Sequence, residues 1–294
     1  MITRGLYSAT CSILFDDCSL NVEATIAHAA SSINNGLHGA IFFGSTGQSQ
    51  LIDLSSKKNL ISKAANHKLR KQFFFGTGCN SLNDTIDLIK YGMEYEFKSW
   101  LIMPPAYYSS NTEKGVYNFY KNIISKAPKV KIILYNFEKL SSFLFKPEFV
   151  KKLASDFPKN IIGVKDSSYN LYKNLKLPNF LVFPGSEAKL LKGLKLGCAG
   201  TISAVTQITH SLARKVFDDF ENKEVQTQND KLIAVRETFD EYNLISALHS
   251  YMSIKDDNFK NLLPPLVLLN SREKKDLIEK LNNLKFIIKN NLVA

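Results

Sequence analysis

Between residues 39 and 204 the chain repeats one pattern: a short apolar run closed by Gly, Pro, Ser or Asn, then a longer amphipathic segment. The runs lie at 39–44 (GAIFFG), 73–78 (FFFGTG), 100–104 (WLIMP), 131–137 (KIILYNF), 161–165 (IIGVK), 180–184 (FLVFP) and 198–204 (CAGTISA). They are too short for helices and mostly rich in Ile, Val and Phe, which is how a strand buried on both faces of a parallel sheet reads. A run at 7–14 supplies one more strand. The intervening segments, among them 21–35, 55–69, 81–94, 112–126 and 147–156, carry apolar residues at helical spacing. Eight β units with seven intervening helices, then a helix from about Thr209, predict an α/β chain folded as a (β/α)8 TIM barrel. An open doubly wound sheet is the rival. No G-x-G-x-x-G follows the first strand, and the polar closures recur after nearly every run instead of clustering at one switch point, so the barrel is favoured. From about residue 222 the β-type runs stop, and 230–250 and 258–291 read as helices broken by Pro264 and Pro265. The predicted organisation is a catalytic barrel over 1–221 and a C-terminal helical region over 222–294.

Composition then narrows the function classes. With 45% hydrophobic and 22% charged residues the chain can bury a large core, and no stretch approaches the roughly 20 unbroken apolar residues of a membrane-spanning helix. The segment before Asp16 and Asp17 has one Arg and no long apolar run, so no secretory signal is read and a cytoplasmic location is expected. Cys11, Cys18, Cys79 and Cys198 lie scattered, without a C-x-x-C pair or a histidine at ligand spacing, so reduced thiols are expected and no metal site. The net charge of +11 comes from dispersed lysines with no basic run and no nucleic-acid signature, so it reads as a solvated surface. Neither nucleic acid nor membrane is expected as a partner.

A barrel places its chemistry at the C-terminal ends of its strands. Lys165 closes an otherwise apolar run, and an ammonium there must be paired, desolvated or reactive. Desolvation lowers a lysine pKa and frees an amine to attack a carbonyl as a Schiff-base nucleophile; pairing with Asp166, or snorkelling outward, are the alternatives. Tyr135 ends the preceding run, where a phenol can shuttle protons or simply cap the core. Ser45 and Thr46, flanked by Gly44 and Gly47, offer hydroxyls and backbone amides to a carboxylate, or ordinary turn chemistry. Tyr107, Tyr108 and 185–187 close other runs.

Five segments together resemble the dihydrodipicolinate synthase/N-acetylneuraminate lyase family of pyruvate-dependent class I aldolases. They are GSTGQS (44–49), PAYYSSNTEKG (105–115), YN (135–136), GVKDSS (163–168) and PGSEAKLLKGLKLGCAGTIS (184–203). The resemblance implies that Lys165 forms an imine with pyruvate or another 2-keto acid, that Tyr135 relays protons, and that Ser45 and Thr46 hold the keto-acid carboxylate. It implies further that Tyr108 reaches a neighbouring subunit's site, within a homodimer or homotetramer, and that Gly185 and Ile202 line the pocket. No metal or other cofactor is implied, because the protonated imine is itself the electron sink.

Departures from the family pattern bear on the substrate. The synthase branch carries an arginine shortly after YN-x-P, whereas this chain reads YNFEKLSS with Leu140 in that place and none of its five arginines nearby. Lys139 brings charge to the loop but not a bidentate fork. Glu187 is followed by Ala188, not by the second acidic residue of the sialic-acid branch, and Gln48 replaces a common Glu. The resulting expectation is a lyase that condenses pyruvate with an aldehyde, or cleaves a 2-keto-3-deoxy sugar acid or related hydroxy-keto acid, with Ser167, Glu187 and Ser203 as hydroxyl binders. A dihydrodipicolinate synthase proper and a non-catalytic keto-acid-binding paralogue stand as alternatives.

Overall fold

The computed structural model describes residues 1–109 and 111–286. Ser110 of the PAYYSSNTEKG segment and residues 287–291 of the helix expected over 258–291 lie outside the described residues. The first half of the chain alternates β1 Gly5–Ala9, α1 Val22–Asn34, β2 Gly39–Phe42, α2 Leu54–Ala64, β3 Phe73–Gly76, α3 Leu82–Glu94, β4 Ser99–Ile102 and α4 Glu113–Lys126. The second half continues with β5 Lys131–Asn136, α5 Glu138–Ser141, α6 Pro147–Asp156, β6 Ile161–Asp166, β7 Leu181–Pro184, α7 Leu190–Lys195, β8 Gly200–Ser203 and α8 Thr206–Glu221. The helices α9 Asn229–Asp240, α10 Leu244–Met252 and α11 Ser271–Asn283 follow.

All eight strands run parallel in the order β7-β6-β5-β4-β3-β2-β1-β8. The seam between β7 and β8 draws together where Ala199 N–H donates to Val182 O at 2.8 Å and Thr201 Oγ1 donates to Pro184 O at 2.7 Å. Eight parallel strands alternating with helices make a (β/α)8 barrel, as the periodicity predicts. One apolar layer lies between strands and helices and includes Phe42, Phe75, Trp100, Ile132 and Val164. A second fills the barrel interior with Tyr7, Ile41, Phe74, Leu101, Ile133, Tyr135, Phe183 and Ile202. Gly92 shows how tightly the outer layer closes. Glycine in a helix costs about 1 kcal/mol relative to Ala, yet a Cβ there would sit 2.4 Å from Trp100 Cζ2, so only glycine lets α3 settle on β4.

Local signals start the helices at or within two residues of the segments read from the sequence. Asn21, Asp53, Ser81 and Thr112 each accept a backbone N–H from the first turn of α1, α2, α3 and α4, and Pro147 opens α6. Four expectations need correction. The first strand spans Gly5–Ala9 instead of 7–14, because the chain turns off the sheet and Leu14 forms an isolated bridge with Leu20. The β6–β7 connection carries no α-helix, leaving six helical crossovers where seven were expected. There the Asp166 carboxylate accepts N–H bonds from Leu171 and Tyr172, both at 2.8 Å, and Tyr169 and Asn179 take positive φ, which together hold an irregular loop. The helix after β8 begins at Thr206 and is kinked at Thr209, which is why the periodicity seemed to start there. Residues 230–250 divide between α9 and α10, and among the described residues of the last segment only Ser271–Asn283 is α-helical, since Pro264 and Pro265 lie in a turn closed by Leu266 N–H to Leu263 O, before the Asn270 capping box.

The C-terminal helices pack over the β1/β8 end of the barrel. Val235, Phe239, Leu248 and Leu277 share one apolar cluster with Cys11, Ile13, Ala204 and Val205. Gln48, just after the Ser45 turn, accepts the Leu263 N–H at 2.7 Å, so the tail also touches the barrel mouth.

Candidate active site

Register brings the two central residues together. In the β5–β6 ladder Tyr135 pairs with Lys165, so their side chains leave adjacent strands on the same face. Lys165 is 3% exposed, and its Nζ sits 4.3 Å from the centroid of the Tyr135 ring. The Tyr135 hydroxyl shares a 2.9 Å hydrogen bond with Ser45 Oγ. Asp166 is not the lysine's partner: it lies on the opposite face of the strand, where it accepts from Asn136 Nδ2, Leu171 N and Tyr172 N. Burial raises the Asp166 pKa, against the pull of those hydrogen bonds. The amine therefore faces a phenol inside the barrel, and the carboxylate caps the loop outside it.

Ser45 and Thr46 stand on a single 3-10 turn, Ser45–Gly47, directly after β2. Two features fix that turn. Gln48 ends it in the left-handed region at φ 54°, and Ser12 Oγ donates to Gly47 O at 2.7 Å. A Cβ on Gly47 would come within 2.8 Å of Thr10 O, so the turn lies flat against the end of β1. Thr46 is buried; Ser45 is half-buried and reaches the phenol.

The remaining expected residues separate into three groups. Ile202 is fully buried in the interior cluster that holds Tyr135. Gly185 lies against Ser167, so closely that a Cβ would fall 2.1 Å from Ser167 Oγ. Tyr107 and Tyr108 are 85% and 74% exposed, packed edge-on to each other at 5.3 Å, and the fold does not bring Tyr108 to the buried Lys165–Tyr135 pair. Glu187 and Ser203 are fully buried and already engaged. Arg236 Nη1 donates to Glu187 Oε2 at 3.0 Å and to Ser203 Oγ at 2.9 Å, while Ser203 and Thr209 also donate to the Glu187 carboxylate. The same guanidinium forks onto Asp240. Burial alone would lower the Arg236 pKa, but the charges of Glu187 and Asp240 hold it above the usual value. The hydroxyl-binding role expected of Glu187 and Ser203 thus meets a carboxylate committed to an ion pair.

Arg236 is the residue that sequence reasoning missed. Its only local signal is Asp240 four residues on, the spacing of a helical ion pair; nothing near it announces a contact with residue 187. Among the described residues there is no group of three or more His, Cys, Asp or Glu that could hold a metal, and no helix long and apolar enough to cross a membrane.

Beside this pair lies a cavity of about 120 Å³ at the ends of β2 to β5, lined by Tyr135, Ser45, Phe43, Leu101, Met103 and Leu140 among others. Lys139, next to Leu140, is exposed and does not line it.

The sequence profile of the Dihydrodipicolinate synthetase family matches residues 3–284. A 4-hydroxy-tetrahydrodipicolinate synthase of Thermosipho africanus is 30% identical, covering 72% of this chain and 74% of that enzyme. A 2-dehydro-3-deoxy-D-gluconate/2-dehydro-3-deoxy-phosphogluconate aldolase of Picrophilus torridus is 27% identical over 76% of this chain and 85% of its own. Among solved structures, YagE, a prophage protein of the dihydrodipicolinic acid synthase family from E. coli K12 crystallised with pyruvate, superposes with a TM-score of 0.89 at 21% identity, covering 98% of this chain and all of its own. The last likeness speaks to the fold.

Proposed function

The chain belongs to the dihydrodipicolinate synthetase family, whose relatives here are named as synthases and aldolases, and on that premise we propose a Schiff-base lyase that joins pyruvate to an aldehyde or cleaves the resulting 4-hydroxy-2-keto acid. The observation that carries the reading is the buried Lys165 amine lying 4.3 Å from the ring centroid of Tyr135, whose hydroxyl is bonded to Ser45.

The keto acid enters with its carboxylate on the Ser45 and Thr46 hydroxyls, which puts its ketone carbon toward the amine. Lys165 attacks that carbon, and Tyr135 passes protons to and from the carbinolamine oxygen, with Ser45 as its hydrogen-bonded relay. Loss of water leaves the protonated imine, an electron sink that acidifies the adjacent methyl. The methyl carbon then attacks the aldehyde, and the aldehyde oxygen takes a proton from the Tyr135 side. Ile202 and Gly185 wall the imine, with Ser167 behind Gly185. Glu187 and Ser203 act as positioning groups under the rim, held by Arg236. Tyr108 belongs to a second copy's site within a homo-oligomer, which accounts for two adjacent tyrosines left on the surface.

Borohydride reduction in the presence of pyruvate tests the imine directly. Intact and peptide mass spectrometry should find one reduced pyruvyl group on Lys165 and none on Lys165→Ala. Tyr135→Phe should still be labelled while turnover falls by about 10²–10⁴. Labelling of well-folded protein at another lysine, or none at all, rules the reading out.

A further inference from the structure

The cavity beside Tyr135 constrains the aldehyde, and this inference rests on the Schiff-base reading above. An aldehyde whose oxygen meets the Tyr135 phenol must place its substituent in the space that Tyr135 and Ser45 border, which is the 120 Å³ cavity. Its walls are Phe43, Leu101, Met103, Ala106 and Leu140, with only neutral polar groups such as Thr77 and Gln50 beside them. Among the described residues, no charged side chain lines it.

The nearby cations are spent elsewhere. Lys57 is buried behind the cavity wall, with its Nζ donating to Thr77 O at 3.0 Å and Gly78 O at 3.1 Å. Lys139 is exposed outside it, and Arg236 is held by Glu187 and Asp240. The one charge beside the cavity is the Lys165 imine, next to Tyr135, and the keto acid's own carboxylate on Ser45 and Thr46 balances it, so a second carboxylate or a phosphate brought in by the aldehyde would lose its water without a counter-charge of its own. A polyol fares little better, because the carboxylate expected to take its hydroxyls is closed off by Arg236. The size is close to that of cavities that hold one benzene, room for about three to five carbon atoms.

We propose that the aldehyde partner is a short, uncharged aliphatic aldehyde, and that the product is a 4-hydroxy-2-keto acid with an apolar tail. The balance is that of an aldol addition. The imine methyl gives up one proton, its carbon bonds to the aldehyde carbon, and the aldehyde oxygen gains a proton. Hydrolysis of the imine then returns the water released when it formed.

The full chain should be assayed with pyruvate and ethanal, propanal or butanal, and in parallel with aspartate semialdehyde and glyceraldehyde, by mass detection of the adduct. We expect kcat/KM to rise up to about fourfold per added methylene from ethanal to butanal, and to exceed that for aspartate semialdehyde at least tenfold. Leu140→Arg should reverse the order, with butanal falling and aspartate semialdehyde rising. Borohydride labelling with pyruvate alone separates the two readings, since it needs no aldehyde. If Lys165 is labelled but the wild type prefers aspartate semialdehyde or glyceraldehyde, turns over no aliphatic aldehyde, or keeps its ranking in Leu140→Arg, this inference fails alone. If Lys165 is not labelled, both fail.

Discussion

His249 sits where protonation has nowhere to go. It is fully buried on α10, its Nδ1 lies 3.1 Å from Phe259 O, and its Nε2 has no partner among the described residues. The geometry fixes the neutral tautomer with the proton on Nδ1, donated to the carbonyl. Burial pushes the pKa down from 6.5 to about 4. A base whose folded pKa is depressed binds protons more readily when unfolded, so its stabilising effect is full above the unfolded value and is lost as pH falls toward the folded one. With these two values, linkage gives a loss of about 2 kcal/mol between pH 7 and pH 5 and about 3 kcal/mol by pH 4. In a chain of this size about 2 kcal/mol moves Tm by about 4 °C. Because His28 and His210 are also lowered by burial, the wild type's own slope mixes several groups. The informative quantity is a difference. His249→Asn keeps a donor for Phe259 O and removes the titration, so Tm should drop about 4 °C less from pH 7 to pH 5 than in wild type, measured by calorimetry at matched ionic strength. Parallel Tm–pH curves for the two proteins would refute the burial argument.

Two further outcomes follow from the ion pair and from a helix cap. Glu187→Leu should strip a buried guanidinium of its buried partner, leaving only the half-exposed Asp240, and destabilise by about 3 kcal/mol, whereas Glu187→Leu with Arg236→Met, which removes both charges of the buried pair, should recover most of that in thermal melts. Failure of the second change to restore any stability argues against the pairing as the source of the loss. Asp53 caps α2, and although partial burial opposes it, bonds from Ser55 and Ser56 hold its carboxyl at about 2. Its stabilisation is therefore present above about pH 4 and lost as pH falls toward 2, so Asp53→Ala should cost about 1 kcal/mol at pH 7 and nearly nothing at pH 2 in urea melts.

What the sequence made legible is what local chemistry decides. The Lys165–Tyr135 pair could be placed because each closes an apolar run, and parallel register does the rest. The helix starts at Asn21, Ser81 and Thr112 were readable because each accepts a nearby backbone N–H, while the start read at residue 55 fell just past its Asp53 cap. The failures are contacts made across long separations. Glu187 looked like a free carboxylate at a strand end because its partner stands 49 residues away on a helix. The β6–β7 crossover looked interchangeable with its neighbours because the carboxylate that holds its loop open, Asp166, reads in sequence as a lysine counter-ion. Tyr108 was read as a site residue from its segment alone, and the fold leaves its side chain on the surface.

The reach of Arg236 from α9 into the barrel rim changes what counts as a separable piece of this molecule. A protein cut after Glu221 would keep every strand and every residue assigned here to catalysis. It would also keep Glu187 with its countercharge deleted, Gln48 without the Leu263 amide, and bare apolar surface at Cys11, Ile13 and Val205. The barrel and its tail should therefore melt together as one cooperative unit, and shortening the chain at that seam should yield an insoluble fragment, not a smaller enzyme.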